Sequence, residues 1–215
     1  RRNIGAEISL FAGQTFPTSP VELFNLLQEA SFTGIAYLSV FDIVDYALVG
    51  LMFLAIGAAF WQAHRNTVII ALSCGLTGVA VSFASNITFP MLSLSQQYAA
   101  ASAEAQKTAL LAAGQAVLAL NNLQAVYPGT GVYLSLLLLA SAGLIFSILM
   151  LRNTIFNRWC AIAGILASAC DLVYCITFAF APSLKVYLLA TGGLLLMIWH
   201  ILVALKLLKQ SRTNS

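Results

Sequence analysis

Carboxylates inside an apolar chain need a reason, because an ionised acid in hydrocarbon costs at least ~2.5–3.5 kcal/mol. Asp171 stands in "LASACDLVYC" (166–175), a run that is otherwise almost wholly apolar. Tyr174 follows three residues later, so on a helix the two share a face. Asp42 and Asp45 repeat that spacing in "FDIVDY", with Tyr46 adjoining. Neighbouring acids compete for a proton, which suits reversible binding of a proton or cation. Asn86, late in a second apolar run, and Lys185, opening another, could join them. The candidate ligand- or ion-binding set is therefore Asp42, Asp45, Asn86, Asp171, Tyr174 and Lys185.

A structural use of the same residues competes with this. Asp171 could hydrogen-bond to Tyr, Asn or Ser on adjacent helices, or stay protonated, and so fix packing. Asp42 and Asp45 lie on the N-terminal side of their helix, where the macrodipole favours anions. The sequence leaves both uses open.

Other chemistry is not encoded. There is no His-Glu-x-x-His, no Gly-x-Ser-x-Gly and no glycine-rich phosphate loop, so no catalytic residue is assigned. His64 and His200 both fall toward one side of the apolar runs, where a histidine more commonly anchors an interface than holds haem. Cys74, Cys160, Cys170 and Cys175 occupy apolar stretches without a Cys-x-x-Cys pair and read as small buried hydrophobes. No cofactor and no metal is expected. The "NIT" at 86–88 matches a glycosylation acceptor but lies too near the apolar run to be used.

The elements that position these residues follow from composition. The chain is 60% hydrophobic and 8% charged, against about a quarter charged in soluble domains. Water cannot be its main solvent. A bilayer core of ~30 Å needs ~20 apolar helical residues, and five stretches qualify: about 38–61, 67–89, 131–151, 157–180 and 184–207. The second is read as stopping at Pro90 and the fourth at Pro182. Helical rise places Asp171 roughly 20 Å across the core from Arg158, and Asp45 and Asp42 roughly 30 to 35 Å from Arg65. All six candidates then fall in one half of the bilayer.

Two further segments read as amphipathic interfacial helices. In "SPVELFNLLQEA", Ser19 occupies an N-cap, Pro20 the first helical position and Glu22 the third. Val21, Phe24 and Leu27 oppose Glu22, Asn25 and Glu29, so this helix is expected to lie flat on a surface. Residues 103–122 carry a narrow stripe of Glu104, Lys107, Thr108, Leu111 and Gln115. That helix could lie in the interface, re-enter, or cross as a sixth span.

Charge favours five. Five spans put Arg65, Arg152, Arg158, Lys206, Lys209 and Arg212 on one side, which the positive-inside rule makes cytoplasmic. The expected organisation is an external segment at 1–37 followed by a bundle at 38–215, with the C-terminus cytoplasmic. Gly75, Gly78, Ala163, Gly164, Ala167 and Ser168 provide faces where helices can approach closely.

The strings "LSQQYAAASAEAQKTALLAAGQAVLALNN" (94–122), "GTGVYLSLLLLASAGLIFSILMLR" (129–152), "FNRWCAIAGILASACDLVYC" (156–175) and "GGLLLMIWHILVALKLLKQ" (192–210) resemble a bacterial and archaeal multi-pass family, domain of unknown function 4386. The resemblance covers roughly the last two-thirds of the chain. It implies a polytopic membrane protein with one more N-terminal helix than is read here, and it transfers no catalytic residue.

The expectation is thus an all-α polytopic transmembrane helix bundle in the plasma membrane. Its partners would be membrane lipids, other membrane subunits or a second copy of itself, and no nucleic acid, since no basic–aromatic patch occurs. A non-catalytic accessory subunit or binder of lipid-like molecules is the leading function. A small proton- or cation-coupled carrier or channel using the carboxylate cluster is the alternative.

Overall fold

The computed structural model describes residues 19–120, 129–153, 155–177 and 184–213, with side chains at all but 120, 185, 186 and 210–213. The described residues form helices and no strand: α1 (Pro20–Glu29), α2 (Ser31–Tyr37), α3 (Val40–Ser85), α4 (Thr88–Ala100), α5 (Glu104–Leu120), α6 (Thr130–Arg152), α7 (Arg158–Thr177) and α8 (Lys185–Thr213). Contacts divide the chain into two compact units, residues 1–45 with 85–129 and residues 46–84 with 130–215. Four stretches are long and apolar enough to cross a membrane: Val40–Ala100, Thr130–Arg152, Arg158–Thr177 and Tyr187–Lys209. α5 is not among them.

In the first unit, α1 starts as its sequence dictates. The Ser19 hydroxyl accepts from the Glu22 backbone N–H at 3.3 Å, with Pro20 at the first helical position. α1 buries Pro20, Leu23, Phe24 and Leu27 and leaves Val21 40% exposed. The inward face is therefore rotated from the one read in the sequence, because α4 and α5 pack against it. α5 comes close to α1 at Gly114, where a Cβ would stand 2.8 Å from Phe24 Cζ. Leu23, Phe24, Leu27, Leu38 and Met91 form the core, with Leu111, Val117 and Leu118 of α5 against it.

α4 was not separated in the sequence, where Pro90 reads as a stop. The helix instead breaks at Asn86–Ile87 and restarts at Thr88, putting Pro90 in the first turn of α4. A first-turn proline loses no helical hydrogen bond, since those N–H groups have no partner within the helix.

In the second unit, α3 reverses at His64, whose φ of −140° and ψ of 42° are not helical. Gly57 faces Leu72, Phe53 faces Gly75 and Gly50 faces Val79. One index falls as the other rises, so the two limbs of α3 run antiparallel. The pattern continues: Gly75 meets Ala142 and Gly78 meets Leu139 of α6, Ser147 meets Gly164 of α7, and Trp199 of α8 meets Gly164 while Gly192 meets Asp171. The unit is an up-and-down bundle of five helical rods. Phe53, Ile56, Phe60, Val68, Phe146, Met150, Phe156, Trp199 and Val203 fill its core.

The close approach of α6 to α7 is reciprocal. "GLIFS" (143–147) and "GILAS" (164–168) are both Gly-x-x-x-Ser. A Cβ on Gly143 would stand 2.8 Å from Ser168 Oγ, and one on Gly164 would collide with Ser147 Oγ. Each glycine thus lies under the other helix's serine, which lets the backbones approach closely. Ala163 and Ala167 on the same side of α7 are buried.

Candidate functional site at the α7–α8 seam

The six candidate residues divide between the two units, and each group is described within its own. In the second unit, α7 presents Asp171 toward α8 at Gly192, where a Cβ would stand 2.9 Å from Asp171 Oδ1 and 3.2 Å from Cys170 Cβ. The missing side chain at 192 leaves room for the carboxylate against the backbone of α8. Asp171 is half-buried, and among the described residues it makes no hydrogen bond or ion pair. One turn on, Tyr174 is buried at 1% exposure beside buried Cys175. Tyr174 and Asp171 share a side of α7, the phenol deeper and the carboxylate nearer the surface. Gly193, beside Gly192, has nothing within 4 Å of its Cβ position. Lys185 begins α8, and its side chain lies outside the described residues.

In the first unit Asn86 is tied into the backbone, while Asp42 and Asp45 lie at the surface. Asn86 donates from Nδ2 to Ser39 O at 3.2 Å and accepts at Oδ1 from Thr88 N at 3.0 Å. Both ends of its amide are spent on joining the α2–α3 turn to the start of α4. Ser39, at that turn, has φ of 64°, a left-handed conformation that an L-residue adopts only under such constraint. Its hydroxyl donates to the Asp42 carboxylate, which also feels the like charge of Asp45. Asp42 and Asp45 are both exposed in the opening turns of α3, where the helix dipole suits them.

Two polar groups that sequence reading passed over lie deeper. Ser147 Oγ and Trp199 Nε1 are buried without a hydrogen-bond partner among the described residues, and both converge on Gly164. The Gly-x-x-x-Ser repeat was the available signal, but Ser in an apolar helix usually returns its hydroxyl to its own backbone, as Ser141 does to Leu137 O at 2.7 Å.

At the opposite end from Asp171, Asn153 Nδ2 stands 3.2 Å from His64 Nε2 and donates to Leu149 O at 2.8 Å. Since the amide N–H₂ is a donor, His64 Nε2 is the acceptor, and the contact joins the α3 turn to the end of α6. The four cysteines are free thiols. No group of three or more His, Cys, Asp or Glu able to hold a metal occurs among the described residues.

Comparison of the chain with protein-family models, curated proteins and solved structures finds no match.

Proposed function

We propose that the chain is a multi-pass integral membrane protein without catalytic chemistry of its own, acting as an interaction subunit or a binder of lipid-like molecules through the α7–α8 seam. The observation that carries this is Asp171, a half-buried carboxylate against bare backbone with no partner among the described residues, on a bundle with an apolar outside. Ile176 is 67% exposed, Leu194 56% and Tyr187 73%, all on the two helices that flank the seam. A polar group beside exposed apolar rows suits an amphiphile or a partner helix carrying a hydroxyl, amide or cation. Kinship with the family called domain of unknown function 4386 belongs to the same proposal and rests on the strings quoted above.

Five crossings fit this reading. The antiparallel limbs of α3 hold 24 and 21 residues, at 40–63 and 65–85, or roughly 36 and 32 Å of helix, each enough for one passage. The basic ends of the bundle then face the cytoplasm together with the C-terminus, in the plasma membrane.

A second reading, a small proton- or cation-coupled carrier, is favoured by the same absence of a partner at Asp171. One experiment separates them: native mass spectrometry of protein extracted gently from its own membrane, run beside the Asp171→Asn variant. A subunit or lipid-like molecule retained by the native chain and lost from the variant, at unchanged thermal stability, supports the binder. Bare monomer in both, with a proton or cation flux in liposomes that Asp171→Asn abolishes, moves the assignment to the carrier.

A further inference from the structure

The antiparallel register of the second unit collects cations at one end. Continuing the Gly75–Ala142 and Gly78–Leu139 pairs sets Arg65 level with Arg152, and the His64–Asn153 contact lies at that level. The Ser147–Gly164 and Gly143–Ser168 pairs bring Arg158 to it, and the Trp199–Gly164 and Gly192–Asp171 pairs bring Lys206. Arg65, Arg152 and Arg158 are exposed, and none forms a hydrogen bond or ion pair among the described residues. The only acid in this unit, Asp171, is thirteen residues up α7 from Arg158, roughly 20 Å away. The end is uniformly cationic.

Aromatic and apolar side chains accompany these cations. The Arg65 guanidinium lies over the Trp61 ring at 5.4 Å, and Trp159, next to Arg158, is 72% exposed. Exposed Leu151, Ile162 and Leu205 begin the apolar wall immediately beyond. A free anion has no use for that wall. A molecule with a phosphate at one end and hydrocarbon at the other satisfies both parts, because guanidinium grips phosphate through paired hydrogen bonds and tryptophan settles at the headgroup level.

We propose that Arg65, Arg152 and Arg158, set at one level of the bundle and flanked by Trp61 and Trp159, form a binding surface for the phosphate headgroups of anionic membrane lipids. This rests on the membrane reading above. A basic side chain close to an anionic leaflet contributes about a fivefold change in partitioning, so losing three has a large effect.

The test uses the full chain purified in a neutral detergent, offered equal phosphatidylglycerol and phosphatidylcholine, with retained lipid counted by native mass spectrometry. The native chain retains phosphatidylglycerol preferentially. The triple variant Arg65→Gln, Arg152→Gln, Arg158→Gln loses that preference by about tenfold or more, and the triple lysine variant recovers part of it. Lys107→Gln, which removes one charge from the first unit, leaves it unchanged. Equal retention of the two lipids by the native chain overturns the proposal, as does a loss in Lys107→Gln matching that of the triple variant. Complete displacement of lipid by millimolar inorganic phosphate also overturns it, by assigning the site to a free anion. Alkaline carbonate washing of the source membranes separates this from the underlying reading. A chain washed off overturns both, whereas a chain retained without lipid preference overturns the lipid surface alone.

Discussion

The two units bury their polar groups in opposite ways. In the first, buried hydroxyls reach across to other segments: Thr88 Oγ1 donates to Leu38 O at 2.6 Å and Ser95 Oγ to Phe24 O at 3.1 Å, and the Gln28 amide adds a bond to Ser95 O at 3.2 Å. In the second, Ser147 Oγ and Trp199 Nε1 converge on Gly164 with no hydrogen-bond partner among the described residues. The first unit is joined by polar bonds between segments that local sequence would not bring together. The second is joined by shape, glycine under serine, where the hydroxyl matters for its size. Side-chain bonds to backbone fix a small unit whose core is only a few residues, whereas a long apolar bundle gains its cohesion from dispersion over close-packed surface.

Substitutions can break this contrast, and the largest effect belongs to the glycine contact. Gly164→Val should prevent assembly of the second unit, since its two γ-methyls extend beyond a Cβ that already meets Trp199 Nε1 at 2.5 Å. Gly164→Ala should cost about 1–3 kcal/mol, read as a loss of thermal stability in detergent. Adding Ser147→Ala should return part of it. Unchanged stability in Gly164→Ala would mean that the α6 and α7 backbones do not approach this closely.

Next in size are Thr88→Val and Ser95→Ala. Each removes a buried donor and leaves a carbonyl behind, Leu38 O or Phe24 O, at a cost of about 1–3 kcal/mol. Amide hydrogen exchange should show the loss in α1, α2 and α4 and little change in α6 to α8. Exchange rising equally in all helices would mean that the units do not open separately.

The smallest effect is the most discriminating. Ser147 and Ser95 are 0% and 1% exposed, yet Ser147→Ala should be neutral or slightly stabilising, because the hydroxyl it deletes is desolvated without a partner. Two buried Ser→Ala changes of opposite sign would confirm the contrast, and two of the same sign would remove it.

Much of the architecture was legible. Apolar length and the punctuation at Arg65, Arg152 and Arg158 marked the rods, and Ser19–Pro20–Glu22 marked the start of α1, because these signals are local. α4 was hidden by Pro90, which reads as a terminator unless the break at Asn86 is already known. The bonds of Asn86 were not legible: an amide near the end of an apolar run looks available, but its two partners come from residues 39 and 88, and only folding brings Ser39 near. Asp171 was conspicuous by charge alone. Its neighbour Gly192 was not, because a glycine in an apolar helix announces no partner until the register is known. Ser147 and Trp199 had no local signal of their isolation.

The reversal of α3 at a single residue also governs how the chain is made. Pairs such as Gly57 and Leu72, fifteen residues apart, and Gly50 and Val79, twenty-nine apart, meet across the turn without any intervening loop. The second limb has its partner beside it from the moment it is synthesised, so this pair can form before α6 exists. Contacts of such short sequence separation are also the fastest to form. The hairpin is thus the natural nucleus of the second unit, and α6, α7 and α8 then have a finished surface on which to add in order. Lengthening the turn at His64 would delay that first step and disturb the His64–Asn153 contact, while leaving the glycine contacts between the rods intact.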